Sequence, residues 1–539
     1  MLARTASPPT ARPLLCQRLD AIVALHGDAL AIADGARRVS YRDLSASVDA
    51  LARLLQAAAA STDDDAPIAV VVPVGAALAI ATFAVLELGR PCVALDNSMP
   101  PPRREQILHD AGATLVVTCM DPAADAAALP AFDIQRRAAR RQATTAAAPT
   151  SDTDIERPAL ILYTSGSTGE PKGVVYTHGA VLERIVDSDR FRLAAGDRIG
   201  VFGSAGMNLF RALLNGAALC SWDVATDGLA GIGDWIENEK ITLLHCIPTL
   251  FRQWVGTFAD HAYPSLRCVS LTGEPVVASD VRAFLHAFPA HCSLANGFGT
   301  TESGTCCQFV IHRATHTIEP VVPVGYAVAG ITIRIVDDAG RDVATGTQGE
   351  IVVEGKLLSS GYWHNPAPGI SRFGVTPHGV ASYRTGDIGF MRADAALVHL
   401  GRIDQQVKIR GVRIEVAEVE AVLHAHPQVR QAAVAGRPCD SGEPRLIACV
   451  AAHTWRPDLA TELARFVRAR LPGAMVPDGW TFVDALPVTP GGKVDRRALP
   501  DPPPRRVETP GPGLVEQFAR AATRCGSAVA FHDATHTLT

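Results

Sequence analysis

The sequence predicts an α/β protein with a large N-terminal domain of layered α/β sheets, a β-rich subdomain and a small α+β C-terminal domain. Three observations predict this class. Apolar strand-like runs alternate with helical stretches over the first 300 residues, short strands with Gly and Asp turns follow, and a compact mixed unit comes last. Alternating strands and helices are typical of a largely parallel sheet covered by helices.

Composition excludes several other classes of protein. The chain has 539 residues, of which 47% are hydrophobic and 19% are charged. This balance excludes a mostly disordered chain and supplies apolar surface for about two to four domains. The 50 Lys and Arg residues are outnumbered by 55 Asp and Glu residues, for a net charge of −5. The chain therefore has no excess of basic residues that would favour nucleic-acid binding.

In the first 300 residues, we predict strands at the apolar runs 68–72, 114–118, 160–163, 198–202, 241–245 and 267–271. Residues 66–86 carry no charge, and that length alone would allow a membrane span. Pro67, Pro73 and Gly75 interrupt the run, so we predict a buried strand, a turn and a helix over 76–89 instead. Segment 122–157 lacks strong periodicity and is predicted to be a surface excursion.

The second half of the chain has a different pattern. Short strands separated by Gly and Asp turns predict the β-rich subdomain; they lie at 331–337, 350–355 and 396–401. The α+β unit that follows has helices near 416–425 and 459–471 and strands near 428–435, 445–452 and 480–484. The predicted units are a large domain at 1–403 with the β-rich part at about 320–400, a small domain at 404–500 and a Pro-rich linker at 501–513.

The end of the chain resembles its beginning. Residues 514–539 align without gaps onto 15–40 at an offset of 499, and Gly27 and Asp34, for example, recur as Gly526 and Asp533. One interpretation is chance similarity between two Ala-rich helices. We favour the other, in which 514–539 is the start of a second copy of the same domain, as in an assembly line.

Several common catalytic and metal-binding motifs are absent from the sequence. Twelve cysteines in 539 residues do not indicate a disulfide framework. No CxxC pair occurs among them, which disfavours a zinc site of that spacing. No HExxH or GxSxG pattern occurs, which disfavours a zincin site and a nucleophile elbow. The N-terminus shows no signal-peptide pattern, so we expect free thiols in a cytoplasmic protein.

The strongest chemical signal is the segment 158–174, PALILYTSGSTGEPKGV. An apolar strand leads into a loop that can hold phosphates through close backbone approach, hydroxyl groups and a lysine. It is not a Walker A loop, because Pro171 and Gly173 stand where that motif needs Gly and then Ser or Thr. The predicted phosphate-binding residues are Thr164, Ser165, Gly166, Ser167, Thr168, Gly169 and Lys172.

With this loop, the sequence resembles the superfamily of adenylate-forming enzymes: acyl-CoA synthetases, firefly luciferase and nonribosomal-peptide adenylation domains. TSGSTGEPKG matches the family signature at all ten positions. Further matching motifs are VSYRDL (39–44), LELGRPCVALD (86–96), NGFGTTE (296–302), GEIVVEG and SGYW (349–363), YRTGDIG (383–389), GRIDQQVKIRGVRIEVAEVE (401–420), LPGAMVP (471–477) and GGKVDR (491–496). The resemblance covers about 15–500.

The resemblance implies a nucleotide site with ATP and Mg²⁺ as cofactors. Its adenine and ribose residues would be Gly273, Glu274, Pro275, Asn296, Phe298, Gly299, Asp387 and Arg402. Phe298 can stack on a purine, or it is an ordinary core aromatic residue. Asp387 can accept hydrogen bonds from two ribose hydroxyls, or it caps a turn. Arg402 can donate to ribose or phosphate, or it is a solvated charge.

The resemblance also implies the catalytic residues. Thr301 would contact the α-phosphate, and Glu302 would hold Mg²⁺. Lys493 would be the catalytic lysine that stabilises the charge developing at the α-phosphate. Asp404 would be the hinge of a mobile small domain. In the family, one orientation of this domain brings the lysine to the site, and the other presents the face near Gly411 and opens a tunnel for a pantetheine thiol.

The acyl pocket departs from the usual pattern of the family. Adenylation domains for α-amino acids carry an Asp for the substrate ammonium at the position of Gly203, and an unpartnered buried ammonium costs about 3–5 kcal/mol. We therefore expect a hydroxy, keto or other modified acid, or an amino acid that is anchored differently. His245 can bond a substrate oxygen, or it is a core histidine. The other predicted pocket residues are Ser204, Met207, Ser270, Thr272, Gly297, Thr305 and Cys306.

The predicted function is ATP-dependent activation of a carboxylic acid as acyl-AMP, with release of pyrophosphate, followed by transfer to a phosphopantetheine thiol. The details of 401–420 and 491–496 resemble peptide-synthetase adenylation domains, so the expected partner is a carrier protein, supplied in trans or by a neighbouring domain. One alternative is a freestanding acyl- or aryl-CoA synthetase with CoA as acceptor. The other is a non-catalytic nucleotide-binding module of a megasynthase.

Overall fold

The structure is a computed structural model, and it describes residues 12–59, 65–119, 130–137, 155–164, 171–186, 191–203, 206–255, 262–313, 322–364, 372–403, 406–438, 444–487, 494, 496, 498–502, 531–532 and 537–538.

The first part of the chain alternates strands and helices. Its elements are α1 (Leu14–His26), β1 (Leu30–Asp34), β2 (Arg37–Ser40), α2 (Tyr41–Ala59), β3 (Ile68–Val71), α3 (Ala76–Glu87), β4 (Cys92–Leu95), α4 (Pro101–Ala111), β5 (Leu115–Cys119), β6 (Phe132–Arg136), β7 (Pro158–Thr164), β8 (Lys172–Thr177) and α5 (His178–Val186).

The uncharged run 66–86 forms β3, a turn and α3, as predicted, and ten of the twelve residues of α3 are buried. Within the described ranges, no helix is long and apolar enough to cross a membrane. The prediction for 122–157 was incomplete, because β6 lies there and pairs antiparallel with β5. The sequence of β6, FDIQR, has no fully buried position, so this edge strand gave no apolar pattern.

The middle of the chain continues the alternation. Its elements are β9 (Arg198–Phe202), α6 (Asn208–Leu213), β10 (Ala218–Trp222), α7 (Val224–Asp227), α8 (Ile232–Asn238), β11 (Leu243–Cys246), α9 (Pro248–Val255), β12 (Cys268–Thr272), α10 (Ala278–Ala287), β13 (Ser293–Thr300) and β14 (Gly304–Ile311).

Strands dominate the next part, and a mixed unit follows. The elements are β15 (Tyr326–Ala327), β16 (Ile331–Val336), β17 (Gly349–Gly355), β18 (Phe373–Val375), β19 (Ala381–Met391), β20 (Leu397–Arg402), β21 (Val407–Ile409), β22 (Val412–Ile414), α11 (Val416–His424), β23 (Val429–Pro438), β24 (Pro444–Ala452), α12 (Leu459–Arg468), β25 (Gly479–Phe482), β26 (Phe531–His532) and β27 (Thr537–Leu538).

Two sheets form the body of the large N-terminal part. One has nine strands in the order β15-β14-β13-β12-β11-β9-β10-β1-β2, and the other has six in the order β6-β5-β3-β4-β7-β8. The inner strands are parallel and the edge strands are antiparallel. A continuous apolar core joins both sheets to helices α1, α2 and α3. The carboxyl ends of parallel strands, where open α/β sheets bind ligands, therefore lie beside helices with buried faces.

Strands β16 to β20 form a separate five-stranded antiparallel sheet, and β23, β24 and β25 form the small sheet of the last unit. The predicted α/β class, with its β-rich and α+β parts, is confirmed. The predicted domain boundary at residue 404 falls outside the described ranges, and the linker at 501–513 lies almost wholly outside them, so both stay predictions.

The short tail hairpin has the register of the first hairpin. Phe531 pairs with Leu538 in β26 and β27, and the positions 499 residues earlier, Ile32 and Val39, pair in β1 and β2. Most of 514–539 lies outside the described residues, so the second domain copy stays a prediction.

Candidate active site

The predicted phosphate segment forms a β-hairpin. Thr164 ends β7 and Lys172 begins β8, and the two residues are paired across the antiparallel strands. The ammonium of Lys172 lies 5.8 Å from the centre of the Tyr362 ring, and burial lowers its pKa. The residues between them lie outside the described ranges; these include Ser165, Gly166, Ser167, Thr168 and Gly169.

Glu302 is the centre of a charged cluster next to this hairpin. Its carboxylate is 1% exposed, and Nη1 of Arg413 donates to its two oxygens at 2.9 and 2.7 Å. The hydroxyl of Tyr362 donates to the same carboxylate at 2.9 Å. Burial alone would raise the pKa of Glu302, but the charge of Arg413 and the hydrogen bonds hold this pKa below its usual range. Glu302 is therefore a buried carboxylate that is charged at neutral pH.

The carboxylate of Glu302 is suited to Mg²⁺, because that ion prefers carboxylate and phosphate oxygens. The neighbouring Thr301 lines the cavity described below, and its carbonyl accepts a hydrogen bond from Tyr176. Lys172 lies near enough to Glu302 for the charge of Glu302 to affect its pKa. One acidic and one basic side chain, those of Glu302 and Lys172, thus lie near each other.

Asp387 lies on β19 of the β-rich sheet and is 1% exposed. Nε2 of His399 lies 3.0 Å from its Oδ1, and Nη1 of Arg402 donates to its Oδ2 at 3.0 Å. Asp387 and Arg402 are paired residues of β19 and β20. Burial would raise the pKa of Asp387, but His399 and Arg402 hold this pKa below its usual range. Asp387 is thus a buried carboxylate that is charged at neutral pH.

The predicted adenine residues lie around strand β13. Phe298 is buried, and the centre of its ring lies 5.1 Å from that of His399. Asn296 is also buried, and its amide donates to the carbonyl of Pro323 at 2.8 Å. Gly273 and Gly299 both line the cavity. The ring of Phe298 thus lies near Asp387, because both residues contact His399.

The small α+β unit contacts the site through the hairpin of β21 and β22. The backbone N–H of Gly411 donates to Glu274 at 2.6 Å, and Arg413 of the same hairpin binds Glu302. A Cβ atom on Gly411 would lie 2.9 Å from the Ile247 side chain, so the two surfaces are closely packed. Pro275, next to Glu274, accepts a hydrogen bond from Arg252 through its carbonyl.

Two predicted residues of the small unit are not described. Lys493 and Asp404 both lie outside the described ranges. The described neighbour Arg496 donates to both carboxylate oxygens of Glu420 at 2.7 Å. A further ion pair joins the two parts of the chain, between Arg103 of α4 and Glu418 of α11, and both side chains are buried.

A cavity of about 580 Å³ opens between the nine-stranded sheet and the hairpin of β21 and β22. Five of the predicted acyl-pocket residues line it: Met207, His245, Ser270, Thr272 and Thr305. Thr301 and Gly273 of the nucleotide segments line the same cavity. An acid bound here would therefore lie next to the nucleotide segments.

His245 lies at the end of β11, and its Nε2 is 3.3 Å from Oγ1 of Thr272. Burial, together with the charge of Arg211, lowers the pKa of His245 to about 4. The imidazole is therefore neutral at pH 7, and it both contacts a neighbouring side chain and faces the cavity.

Three of the other predicted pocket residues, Gly203, Gly297 and Cys306, are described, and they do not line the cavity. Gly203 is exposed and has a φ of +61°, and Ser204 lies outside the described residues. Gly297 is buried behind the wall, since a Cβ there would contact Thr272. Cys306 is fully buried, and its thiol contacts the carbonyl of Phe298.

Sequence reasoning did not single out Arg413, His399, Tyr362 or Arg211. Arg413, His399 and Tyr362 lie within segments that were recognised as motifs or strands, but their partners come from distant segments. Arg211 carried a local signal, because it is the only charged residue in the run 201–219.

Comparison with known proteins identifies the family. The model of the AMP-binding enzyme family matches residues 19–363, and that of the AMP-binding enzyme C-terminal domain matches 418–493. The chain is 32% identical to a dimodular nonribosomal peptide synthase of Bacillus subtilis over 481 residues, which are 86% of this chain and 20% of that protein. It is 33% identical to novobiocin biosynthesis protein H of Streptomyces niveus over 522 residues, 92% of this chain and 83% of that protein.

Solved structures share the fold. A nonribosomal peptide synthetase protein with adenylation and PCP domains has a TM-score of 0.75 at 25% identity, covering 90% of this chain and 84% of that one. The o-succinylbenzoate CoA synthetase of Bacillus subtilis also has a TM-score of 0.75, at 22% identity, covering 91% and 98%. The chain spans between 6% and 45% of the length of the first four curated relatives that it matches. The shared fold and the charged cluster are consistent with the matched family models. These models show that the chain belongs to the AMP-binding enzyme family and is an adenylate-forming, AMP-forming ligase.

Proposed function

We propose that the protein activates a carboxylic acid as acyl-AMP and then transfers the acyl group to the phosphopantetheine thiol of a carrier protein. The observation that carries the proposal is that Thr301 and Gly299, which line the cavity, are the chain neighbours of Glu302 and Phe298. Glu302 lies near Lys172, and Phe298 lies near the buried carboxylate of Asp387 because both contact His399.

In the first step, a carboxylate oxygen of the acid attacks the α-phosphorus of ATP. An O–P bond forms, the bond to the bridging oxygen breaks, and pyrophosphate leaves with its electron pair. Lys172 and Lys493 supply positive charge to the phosphates, and Thr301 positions the α-phosphate. Asp387 accepts hydrogen bonds from the ribose hydroxyls, and Phe298 packs against the adenine. Mg²⁺, held by Glu302, would neutralise phosphate charge when bound.

In the second step, the thiol sulfur attacks the carbonyl carbon of the acyl-AMP. The C–S bond forms, the C–O bond to AMP breaks, and the thiol proton goes to solvent. The contacts of Gly411 with Glu274 and of Arg413 with Glu302 support this step. They hold the small unit with the face near Gly411 against the cavity, which is the orientation expected for thiol entry.

The lining of the cavity supports an acid without a conventionally anchored α-ammonium. The described residues that line the cavity include no Asp or Glu, so none of them would compensate a buried ammonium.

ATP–pyrophosphate exchange tests the first step. The panel contains α-amino, β-amino, α-keto, α-hydroxy and aryl acids. We expect exchange with acids that lack an α-ammonium. Exchange with a standard α-amino acid alone would retain the ligase and refute the substrate class, and the absence of any exchange would refute the activity.

Free CoA is the second candidate acceptor, because a CoA synthetase shares the fold with a TM-score of 0.75. Thioester formation is compared between CoA and a phosphopantetheinyl carrier protein at equal concentration. We expect the carrier protein to be the better acceptor. Equal or faster transfer to CoA would favour the freestanding synthetase.

A further inference from the structure

Arg211 lies on α6 and lines the acyl cavity. Its Nη1 donates to Oδ1 of the buried Asn208 at 2.6 Å. The helix itself is anchored by Leu209 and Phe210, which are both 2% exposed. The guanidinium is therefore held at a fixed place in the wall of the cavity by a helix that is packed into the core.

The described residues that line the cavity carry positive charge only. Arg184, Arg211 and Arg410 are among them, and no Asp or Glu is. The Arg410 side chain is 60% exposed and lies 3.8 Å from Asp478, so solvent screens its charge. Arg184 and Arg211 are less exposed than Arg410, and the charge of Arg184 lies near enough to Arg211 to lower its pKa. The inner part of the cavity is thus positively charged.

Arg211 is positively charged at neutral pH, although its surroundings disfavour the charge. Burial, together with the nearby charge of Arg184, lowers the pKa of Arg211 to about 10, so the guanidinium stays protonated at neutral pH. His245 is neutral at that pH because burial lowers its pKa to about 4. An anion in the cavity next to Arg211 would be attracted by its positive charge.

We propose, on the basis of the adenylating function proposed above, that the acid is a dicarboxylic acid whose second carboxylate pairs with Arg211. One carboxylate would react at the nucleotide side, where Thr301 and Gly273 line the cavity. The other would lie at the Arg211 side of the same cavity, because a guanidinium pairs strongly with a carboxylate through two parallel hydrogen bonds.

Other acid classes match this wall less well. A substrate ammonium would face two guanidinium groups and be repelled. A keto or hydroxyl oxygen would gain only the weaker bond of a neutral acceptor, for which Ser270 and Thr305 already offer donors in this cavity. A second carboxylate is the group that uses the charge of Arg211.

The test is ATP–pyrophosphate exchange with malonate, succinate, glutarate and adipate, each beside its monoamide, which replaces one carboxylate by a neutral group of the same size. For the diacid of best length, we expect kcat/KM to exceed that of its monoamide by about 10- to 100-fold, the range of a charge-assisted pair. Arg211→Met should bring this ratio close to one, mainly through KM. Arg211→Lys should keep part of it.

Arg468→Met is the matched control, since Arg468 is exposed on the small unit and its loss should leave the ratio unchanged. Arg211→Gln, which keeps a donor towards Asn208, replaces Arg211→Met if that variant does not fold. If monocarboxylic or amino acids support exchange as well as the diacids do, the diacid proposal is overturned and the adenylating function still stands. A preference that survives Arg211→Met would overturn the role of Arg211. No exchange with any acid would overturn the adenylating function as well.

Discussion

Replacing Arg413 by methionine should slow thiol transfer far more than adenylate formation. In the present orientation of the small unit, Arg413 binds both oxygens of Glu302, whose side chain is 1% exposed, while that of Arg413 is 15% exposed. Removing one partner of a buried ion pair costs about 3–5 kcal/mol. Because Arg413 is partly exposed and Tyr362 still donates to Glu302, we expect the lower end, about 3 kcal/mol.

That cost applies only while the hairpin of β21 and β22 contacts the site. At about 1.4 kcal/mol per tenfold change, about 3 kcal/mol shifts the population of this orientation by roughly a hundredfold. The two half-reactions are measured separately, adenylate formation by ATP–pyrophosphate exchange and transfer by single-turnover reaction of the isolated enzyme–adenylate complex with a pantetheine thiol. The ratio of the transfer rate to the exchange rate should fall by about a hundredfold.

Arg468→Met makes the same chemical change at an exposed site of the small unit, and it should leave the ratio within about threefold of the unsubstituted protein because exposed charges contribute little. Thermal melts of both variants exclude general unfolding. An equal fall of both half-reactions in Arg413→Met, or an unchanged ratio, would refute a role for this ion pair in setting the orientation for transfer.

Four further expectations follow from single residues. Lys493→Ala should lower exchange by a hundredfold or more while added acyl-AMP is still transferred, and unchanged exchange would remove Lys493 from catalysis. Glu302→Gln should raise the Mg²⁺ concentration for half-maximal exchange about tenfold, measured by metal titration, because a neutral amide binds the ion weakly. Burial lowers the pKa of His178 to about 4, against about 6.5 unfolded. Stability should therefore fall by up to about 3 kcal/mol as pH drops from about 6.5 to 4, and melts of His178→Phe should show a smaller fall. Gly304→Ala should cost about 2 kcal/mol in chemical denaturation, because Gly304 has a φ of +58° and an added Cβ would lie 1.3 Å from Nη1 of Arg184.

The sequence was informative wherever the signal is local. The apolar run 198–202 became β9 with the same bounds, and the break at Pro73 and Gly75 separated β3 from α3 as predicted. Buried parallel strands are nearly continuous apolar runs, so they can be read without knowing their neighbours. Strand β6 was missed because it lies at an edge, where its side chains remain partly exposed and burial does not dictate their type.

The pocket shows the limit of transferring positions by alignment. Gly203 and Cys306 were assigned to the pocket as family positions, but Gly203 is exposed and Cys306 points into the core beneath the β-rich sheet. A shift of one residue along a strand moves a side chain to the opposite face of the sheet, and the sequence alone does not show which face a side chain occupies. His245 and Thr272 were placed better because both end buried parallel strands at the same edge of one sheet.

Arg413 and Arg211 show why the remaining residues were out of reach. The motif at 401–420 contains Arg413 but indicates no partner for it, and its partner Glu302 is 111 residues away. The pairing joins two segments that lie far apart in the chain, so it is a property of the tertiary structure and not of either local sequence. Arg211 could be seen as the only charge in its run, yet an exposed arginine on an amphipathic helix gives the same pattern. Only the fold, which buries both sides of α6, turns that charge into a feature of the acid cavity.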